Sequence, residues 1–191
     1  EETIDDAVAA LNLAKKQAGV NPKKVFLYGH SLGGMLAPRI AIAVPDLAGM
    51  IIAAGPARKL TDIIVDQNHY FFNQSKDTTA ALKAQFDEAI VNLNKSRITE
   101  LKDIKPDSIL TGLPAAYWVD LNKMDQVALA KSSKAQIYIA QGGMDFQVGQ
   151  KDFDLWVESL KGKKNVTTKF YPTLDHFFIE QTEMGNPSQY Q

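Results

Sequence analysis

The chain of 191 residues is 45% hydrophobic and 23% charged, a balance that fits a globular domain with one substantial core and excludes a fibrous or disordered chain. Its 21 basic and 22 acidic residues leave a formal net charge of -1, so charge indicates no binding of nucleic acid or of an anionic membrane. Cysteine is absent, which excludes disulfides, a thiolate nucleophile and cysteine-bound metal, and no apolar run approaches the ~20 residues of a membrane-spanning helix.

The first predicted element is an amphipathic helix near the start of the chain. Ile4, Val8 and Leu11 recur at helical spacing and give one apolar face to the segment Thr3–Lys16. The segment Gly19–Pro22 then leads directly into the next element.

The most informative stretch follows at residues 25–34, where an apolar run typical of a strand leads into a Gly-X-Ser-X-Gly pentapeptide centred on Ser31. A sharp turn from a strand into a helix lets a serine hold a strained backbone conformation with its hydroxyl exposed. We expect Gly29 and Gly33 to be required, because such a turn leaves no room for a Cβ atom at either position. The pattern therefore predicts that Ser31 is a nucleophile.

The elements after this turn are predicted from their periodicity. Residues 35–43 indicate a helix rich in small residues, with Pro38 expected near its start, where amide donors have no partner. Residues 47–55 are typical of a fully buried parallel strand. The segment 56–114 shows helical spacing and no strand pattern, so we expect two or three helices there.

Two further strands are predicted in the last third of the chain. Residues 135–142 form a buried run that ends in the pair Gly142–Gly143, and Asp145 lies just beyond it. Residues 165–171 alternate as a strand does, and the loop that follows carries His176. The glycine pair is too short to bind a phosphate.

The sequence Gly29-His-Ser-Leu-Gly-Gly34 resembles the nucleophile elbow of the α/β-hydrolase superfamily in its esterase and lipase form. In that family the catalytic residues follow in the chain order nucleophile, acid, histidine, and Ser31, Asp145 and His176 match this order. The resemblance extends over nearly the whole chain. It implies that Leu32, the residue after the nucleophile, donates its amide to the oxyanion hole.

The catalytic roles can also be argued from chemistry. A serine hydroxyl needs a base that removes its proton during attack, and an imidazole titrates close enough to neutral pH to accept that proton and pass it to the leaving group. We assign this role to His176. A carboxylate on the other ring nitrogen fixes the tautomer and stabilises the imidazolium, which is the role expected of Asp145.

Other carboxylates compete for the role of the acid. Asp175 is adjacent to His176, although neighbouring residues on an extended loop tend to point apart. Asp120 or Asp125 would serve if the acid followed the preceding strand, as it does in some relatives of the superfamily. Asp145 itself could instead stabilise a turn or cap the following helix, because aspartate is a common turn residue.

The chain has three histidines, so the choice of base is narrow. We expect His30, next to the nucleophile, to point away from it as the helix begins. His69 lies in the helical segment. We expect both His30 and His69 to pack against other residues or to lie on the surface rather than to take part in catalysis.

The resemblance implies a three-layer α/β/α sandwich with a mostly parallel sheet and a helical cap. The hydrolase core would comprise residues 1–55 with the elbow and 115–191 with the acid and histidine, and the cap would comprise 56–114. Caps of this superfamily cover the active site and shape the substrate pocket. The candidate pocket residues are His30, Tyr70, Phe71, Phe72, Tyr117 and Trp118.

In the superfamily, several strands and a second oxyanion loop precede the first helix, and a final helix follows the histidine loop. This chain opens at Glu1 inside a helix and stops at Gln191 after a polar tail, so we expect it to be part of a longer protein. The second oxyanion donor would then lie outside it, and losing one donor slows catalysis about 10²- to 10³-fold. We therefore expect the fragment alone to be a poor enzyme with an unpaired edge at its elbow strand.

Together these features predict a serine hydrolase that cleaves a small-molecule carboxylic ester through an acyl-enzyme intermediate. A peptidase, a thioesterase or an acyltransferase of the same fold is the enzymatic alternative, because all use the same type of intermediate, and a catalytically silent binding module is the non-enzymatic one. No cofactor or metal is expected. Cytoplasmic and secreted locations are both compatible with the sequence, which carries no feature that sets an oligomeric state.

Overall fold

The computed structural model of the protein describes residues 2–75 and 79–185. The helices are α1 Glu2–Lys15, α2 Leu32–Ala43, α3 Leu60–Gln74, α4 Ala80–Lys95, α5 Ala115–Lys123, α6 Gln126–Ser132 and α7 Gln150–Ser159. The strands are β1 Phe26–His30, β2 Gly49–Ala53, β3 Ile109–Leu110, β4 Leu113–Pro114, β5 Gln136–Gly142 and β6 Val166–Tyr171.

Contacts between residues divide the described chain into two units. The first comprises the residues up to Ala57 together with Asp125–Gly185, and the second comprises Arg58–Met124. By this division α5 belongs to the second unit, beyond the end of the predicted helical segment 56–114.

The first unit is built on a four-stranded sheet in the order β1-β2-β5-β6, in which every neighbouring pair is parallel. The strands β2 and β5 lie at its centre, as their continuous apolar runs require. Met50, Ile52 and Ile139 are each no more than 1% exposed. All four predicted strands are confirmed, and with them the predicted α/β fold class.

Helices of the first unit pack on one face of this sheet. The helix α2 contacts β1 and β2, α7 contacts β5, and α6 contacts both of these helices, while α1 contacts α2. The sheet residues that point toward this layer include Met50, Ile52 and Ile139, which explains why they are the most deeply buried residues of their strands.

The opposite face of the sheet is partly exposed in the described structure. Phe26 and Tyr28 of β1 are 56% and 60% exposed. Their register places them beside Gly49 and Ile51 of β2. Farther along this face, the hydroxyls of Tyr138 and Tyr171 lie 2.9 Å apart and form a hydrogen bond, which raises the pKa of Tyr138. In the first unit, one helical layer of the predicted three-layer sandwich thus packs on the sheet.

The helix after the serine turn corrects one expectation. Pro38 was expected near the helix start, but α2 begins at Leu32 and Pro38 lies inside it. Proline has no N–H, so the helical hydrogen bond from position 38 is absent. The helix begins earlier than its small-residue pattern indicates because Ser31 already turns the chain.

The second unit is mainly helical, as predicted. The helices α3 and α4 pack together, with the His69 and Phe86 rings 4.9 Å apart. Contrary to the prediction of no strands, β3 and β4 form a short antiparallel hairpin. Its turn residues Thr111 and Gly112 both have positive φ, at 45° and 86°, as the tightest hairpins require. Strands of two residues are too short to produce an alternating pattern.

Candidate active site

The candidate catalytic residues follow the carboxyl ends of three strands of one parallel sheet. Ser31 comes directly after β1, Asp145 three residues after β5, and His176 five residues after β6. Carboxyl ends of parallel strands lie at the same edge of a sheet, which is where open α/β sheets bind their ligands. The fold therefore brings these three distant segments to one edge.

Ser31 has the strained backbone expected of the turn. Its φ of 55° and ψ of -122° lie in a region that serine rarely adopts, at a cost of order 1–3 kcal/mol. Two hydrogen bonds hold it there, from the Ser31 amide to the Ala53 carbonyl at 2.9 Å and from the Met35 amide to the Ser31 carbonyl at 3.0 Å. The turn is thus anchored both to the neighbouring strand and to the helix that it starts.

The glycines around the serine have different roles from those predicted. A Cβ atom on Gly29 would lie 2.3 Å from the Gly33 carbonyl oxygen, so a side chain there is excluded as expected. A Cβ atom on Gly33 would meet nothing within 4 Å, so the expectation for Gly33 is wrong. The second tight position is Gly34, whose Cβ would lie 2.9 Å from the Cα of Gly55. At Gly34 the start of α2 passes close to Gly55, which follows β2. Gly33, by contrast, faces open space.

The amide of Leu32, the predicted oxyanion donor, lies at the N-terminal end of α2. It lies at the first position of α2, where a helix has no internal partner for its N–H groups. Within the described part of the chain this amide donates to no other group. The positive end of the helix dipole also lies here and favours negative charge.

Asp145 and His176 form a buried pair. Nδ1 of His176 donates to Oδ2 of Asp145 at 2.8 Å, and the two residues are 3% and 1% exposed, respectively. The other oxygen of Asp145 accepts the amides of Gln147 at 2.8 Å and Val148 at 2.9 Å. A buried carboxylate is tolerable only with such partners. These bonds fix the plane of the carboxylate. Because Nδ1 of His176 is bonded to Asp145, Nε2 is the ring nitrogen that remains for another partner.

Gln141 completes this arrangement and was not predicted. Its amide nitrogen donates to Oδ2 of Asp145 at 3.0 Å and to the carbonyl of Val148 at 2.8 Å. The side chain is 2% exposed. The one signal in the sequence is that Gln141 is a polar residue at the end of the apolar run of β5.

The glycine pair at the end of β5 allows the acid and histidine segments to approach each other. A Cβ atom on Gly142 would lie 2.3 Å from the Leu174 carbonyl oxygen, and one on Gly143 would lie 2.6 Å from that of Pro172. The amide of Met144 also donates to the Leu174 carbonyl at 2.9 Å. Close backbone contact, which only glycine permits here, holds the loop of His176 against the loop of Asp145.

The competing carboxylates are occupied elsewhere. Asp175 accepts the amides of Phe177 and Ile179, both at 2.9 Å, and so shapes the histidine loop. Asp125 caps α6, and Asp120 belongs to α5 in the second unit. Asp145 does not cap α7, whose N-cap residue makes no side-chain bond.

His30 does not point away from the site, contrary to expectation. Its ring centroid lies 4.6 Å from that of His176, and its Nε2 lies 2.7 Å from the His176 carbonyl oxygen. The residue beside Ser31 therefore contacts the candidate base directly. The Ser31 hydroxyl itself makes no hydrogen bond to His176 among the described contacts, and such bonds are often formed only when substrate is bound.

The other predicted pocket residues lie in the second unit. Trp118 is fully buried, and its Nε1 donates to the Leu110 carbonyl. Burial and the charge of Asp120 raise the pKa of Tyr117. Tyr70 and Phe71 contact each other on α3, with ring centroids 5.8 Å apart. Their role in a substrate pocket stays a prediction.

The described residues carry neither a metal-binding cluster nor a helix that could cross a membrane. No three His, Asp or Glu side chains of that part of the chain lie close enough to hold a metal ion together. None of its helices is long and apolar enough to cross a membrane.

The parallel sheet, its helical layer and the strained serine turn are the architecture of an α/β-hydrolase. A family model described as Serine aminopeptidase, S33, matches residues 1–183, and the chain belongs to this family of α/β-hydrolases. Esterase EstD of Thermotoga maritima is 32% identical over 190 residues, an alignment that covers 100% of this chain and 43% of that relative. The chain thus spans less than half the length of this curated relative.

Solved esterase structures share the fold. Esterase Pf2001 of Pyrococcus furiosus superposes with a TM-score of 0.59 at 15% identity, covering 92% of this chain and 55% of that one. Est1E of Butyrivibrio proteoclasticus gives a TM-score of 0.56 at 16% identity, covering 92% and 59%, respectively. At these identities the likeness establishes the α/β-hydrolase fold.

Proposed function

We propose that the protein is a serine hydrolase that cleaves small-molecule carboxylic esters, with Ser31 as nucleophile, His176 as base and Asp145 as the residue that orients the base. The observation that carries this proposal is the buried 2.8 Å bond between His176 and Asp145, on a loop that contacts the residue next to Ser31. The likeness to esterase EstD supports ester hydrolysis as the reaction.

The geometry suggests the order of events. Oγ of Ser31 attacks the ester carbonyl carbon while Nε2 of His176 takes the hydroxyl proton. The Leu32 amide helps to bind the negative oxygen of the tetrahedral intermediate. The bond to the alkoxy oxygen then breaks, His176 gives its proton to the leaving alcohol, and the acyl group stays on Ser31. Water then attacks the acyl carbon while His176 takes a proton from it. The bond from that carbon to Oγ of Ser31 breaks, Oγ takes the proton from His176, and the acid product leaves.

Labelling with a fluorophosphonate probe tests the proposal directly, because such probes bond to activated serines. We expect the intact protein to be labelled and Ser31→Ala to lose all labelling, measured by mass spectrometry of the modified peptide. Ser132→Ala, which changes an exposed serine of α6, serves as the control and should label normally. Labelling that persists without Ser31, or none in the unaltered protein, would reject the proposed nucleophile.

The family description names an aminopeptidase, so peptide amides are the specific alternative to esters. Initial rates on nitrophenyl esters of different chain length, aminoacyl amides and thioesters would compare the classes. We expect the esters to give the highest kcat/KM. A higher value for the amides would assign the protein to the peptidases.

A further inference from the structure

His30 connects the nucleophile turn to the histidine loop. Its Nε2 lies 2.7 Å from the backbone carbonyl oxygen of His176. A carbonyl oxygen only accepts hydrogen bonds, so Nε2 of His30 carries the proton and donates it. One bond therefore links the residue before Ser31 to the backbone of the candidate base.

Ring packing adds to this link. The ring centroids of His30 and His176 lie 4.6 Å apart with an interplanar angle of 51°. Phe177 lies 5.4 Å from each of these two rings. The three rings contact one another in pairs, so a sideways shift of the His176 imidazole would disrupt its contacts with both other rings.

Other described contacts hold the His176 loop from the side of Asp145 and from within the loop itself. Asp145 holds Nδ1 of the imidazole, and Asp175 holds the amides of Phe177 and Ile179. Neither contact involves the serine turn. The bond from His30 directly connects the two segments whose separation determines whether proton transfer can occur.

We propose that His30 is a positioning residue that sets the distance of the His176 imidazole from the Ser31 hydroxyl. This inference rests on the proposed function and assigns His30 a task other than lining the substrate pocket. The hydrogen bond to the His176 backbone supplies the alignment, and the ring contact keeps the imidazole plane from rotating.

Two substitutions separate these contributions. His30→Phe keeps an aromatic ring and removes the donor, whereas His30→Gln keeps an N–H donor of similar reach and removes the ring. We expect His30→Phe to lower kcat for a nitrophenyl ester about 10- to 100-fold, because a small misplacement of a catalytic group has effects of this size. His30→Gln should restore most of that loss, and KM should change little in either variant.

Matched controls come from His69, which contacts Phe86 on α4 in the second unit. His69→Phe and His69→Gln should leave kcat unchanged, and the melting temperatures of all four variants should be compared. The rate of fluorophosphonate labelling gives a second readout. It measures the activation of Ser31 and does not depend on how well the substrate pocket fits the ester.

The outcomes are distinct. The positioning role would be overturned if kcat were unchanged in both His30 variants or equally low in both. A rise in KM without a change in kcat would also overturn it. In each of these cases the proposed hydrolase stands. An unaltered protein with neither labelling nor ester turnover would overturn both proposals together. A specific loss in His30→Phe, with rescue by His30→Gln, would establish the role.

Discussion

At the scale of single residues, the carboxylate of Asp145 is the most constrained group of the candidate site. Its two oxygens accept four hydrogen bonds, one of them from His176. Asp175 is almost as buried, at 2% exposure, but its partners belong to its own loop and to Gln181. Two neighbouring aspartates thus have separate tasks, one toward the imidazole and one toward the loop backbone.

This difference predicts unequal effects of the same substitution. Asp145→Asn should lower kcat about 10⁴-fold, because a neutral amide no longer stabilises the imidazolium or selects its tautomer. Asp175→Asn should cost less than about 10-fold, since an amide oxygen can still accept the loop amides. Initial rates on a nitrophenyl ester would measure both.

Asp154→Asn provides a matched control for this pair, because Asp154 is exposed on α7. Its kcat should equal that of the unaltered protein. If Asp175→Asn proved as damaging as Asp145→Asn, the acid would have to be reassigned.

At the scale of elements, backbone approaches at glycine hold the site together. The serine turn packs the start of α2 against Gly29 and against Gly55, two residues beyond the end of β2. The loop after β5 and the loop after β6 meet at Gly142 and Gly143. These contacts fix strand ends to each other more rigidly than side-chain packing would, because backbone atoms have no rotamers to adjust.

The three glycines around Ser31 should therefore respond differently to alanine. Gly29→Ala and Gly34→Ala force backbone atoms apart and should lower the free energy of unfolding by about 1–3 kcal/mol. Gly33→Ala lies in α2 with open space around its Cβ and should be neutral or stabilising by about 0.4–1 kcal/mol. Urea unfolding measures all three, and a destabilised Gly33→Ala would show that the turn is tighter than described.

At the scale of the whole molecule, one face of the central sheet carries the helices and the other is partly exposed. The exposed side borders an open cavity of about 410 Å³, and Phe26 and Tyr28 on β1 are more than half exposed. Large apolar side chains on an edge strand of this kind favour association with other chains.

We expect the 191-residue chain produced by itself to bind the dye 8-anilinonaphthalene-1-sulfonate and to self-associate through this face. The double variant Phe26→Thr with Tyr28→Thr should reduce both dye fluorescence and apparent mass in light scattering. Val91→Thr, which alters a single exposed apolar residue on α4, is the control. Dye binding that is equal in the double variant and the control would place the apolar surface elsewhere.

Much of the architecture could be predicted because it depends on local patterns. Apolar runs identified β1, β2 and β5, as is typical of parallel strands, and the alternating pattern of residues 165–171 identified β6. The pentapeptide around Ser31 indicated a strained turn, and the φ of 55° at Ser31 bears this out. The hairpin of β3 and β4 was missed because two residues leave no periodicity.

The sequence by itself determined the family, the strand order along the chain and the candidates for nucleophile, acid and base, because these depend on residue type and spacing. Tertiary structure alone decided which neighbour each candidate has. It showed that Gln141 supports Asp145, that His30 contacts His176, and that Gly34 rather than Gly33 is the crowded position. These facts depend on distances between segments far apart in the chain, which local spacing does not encode.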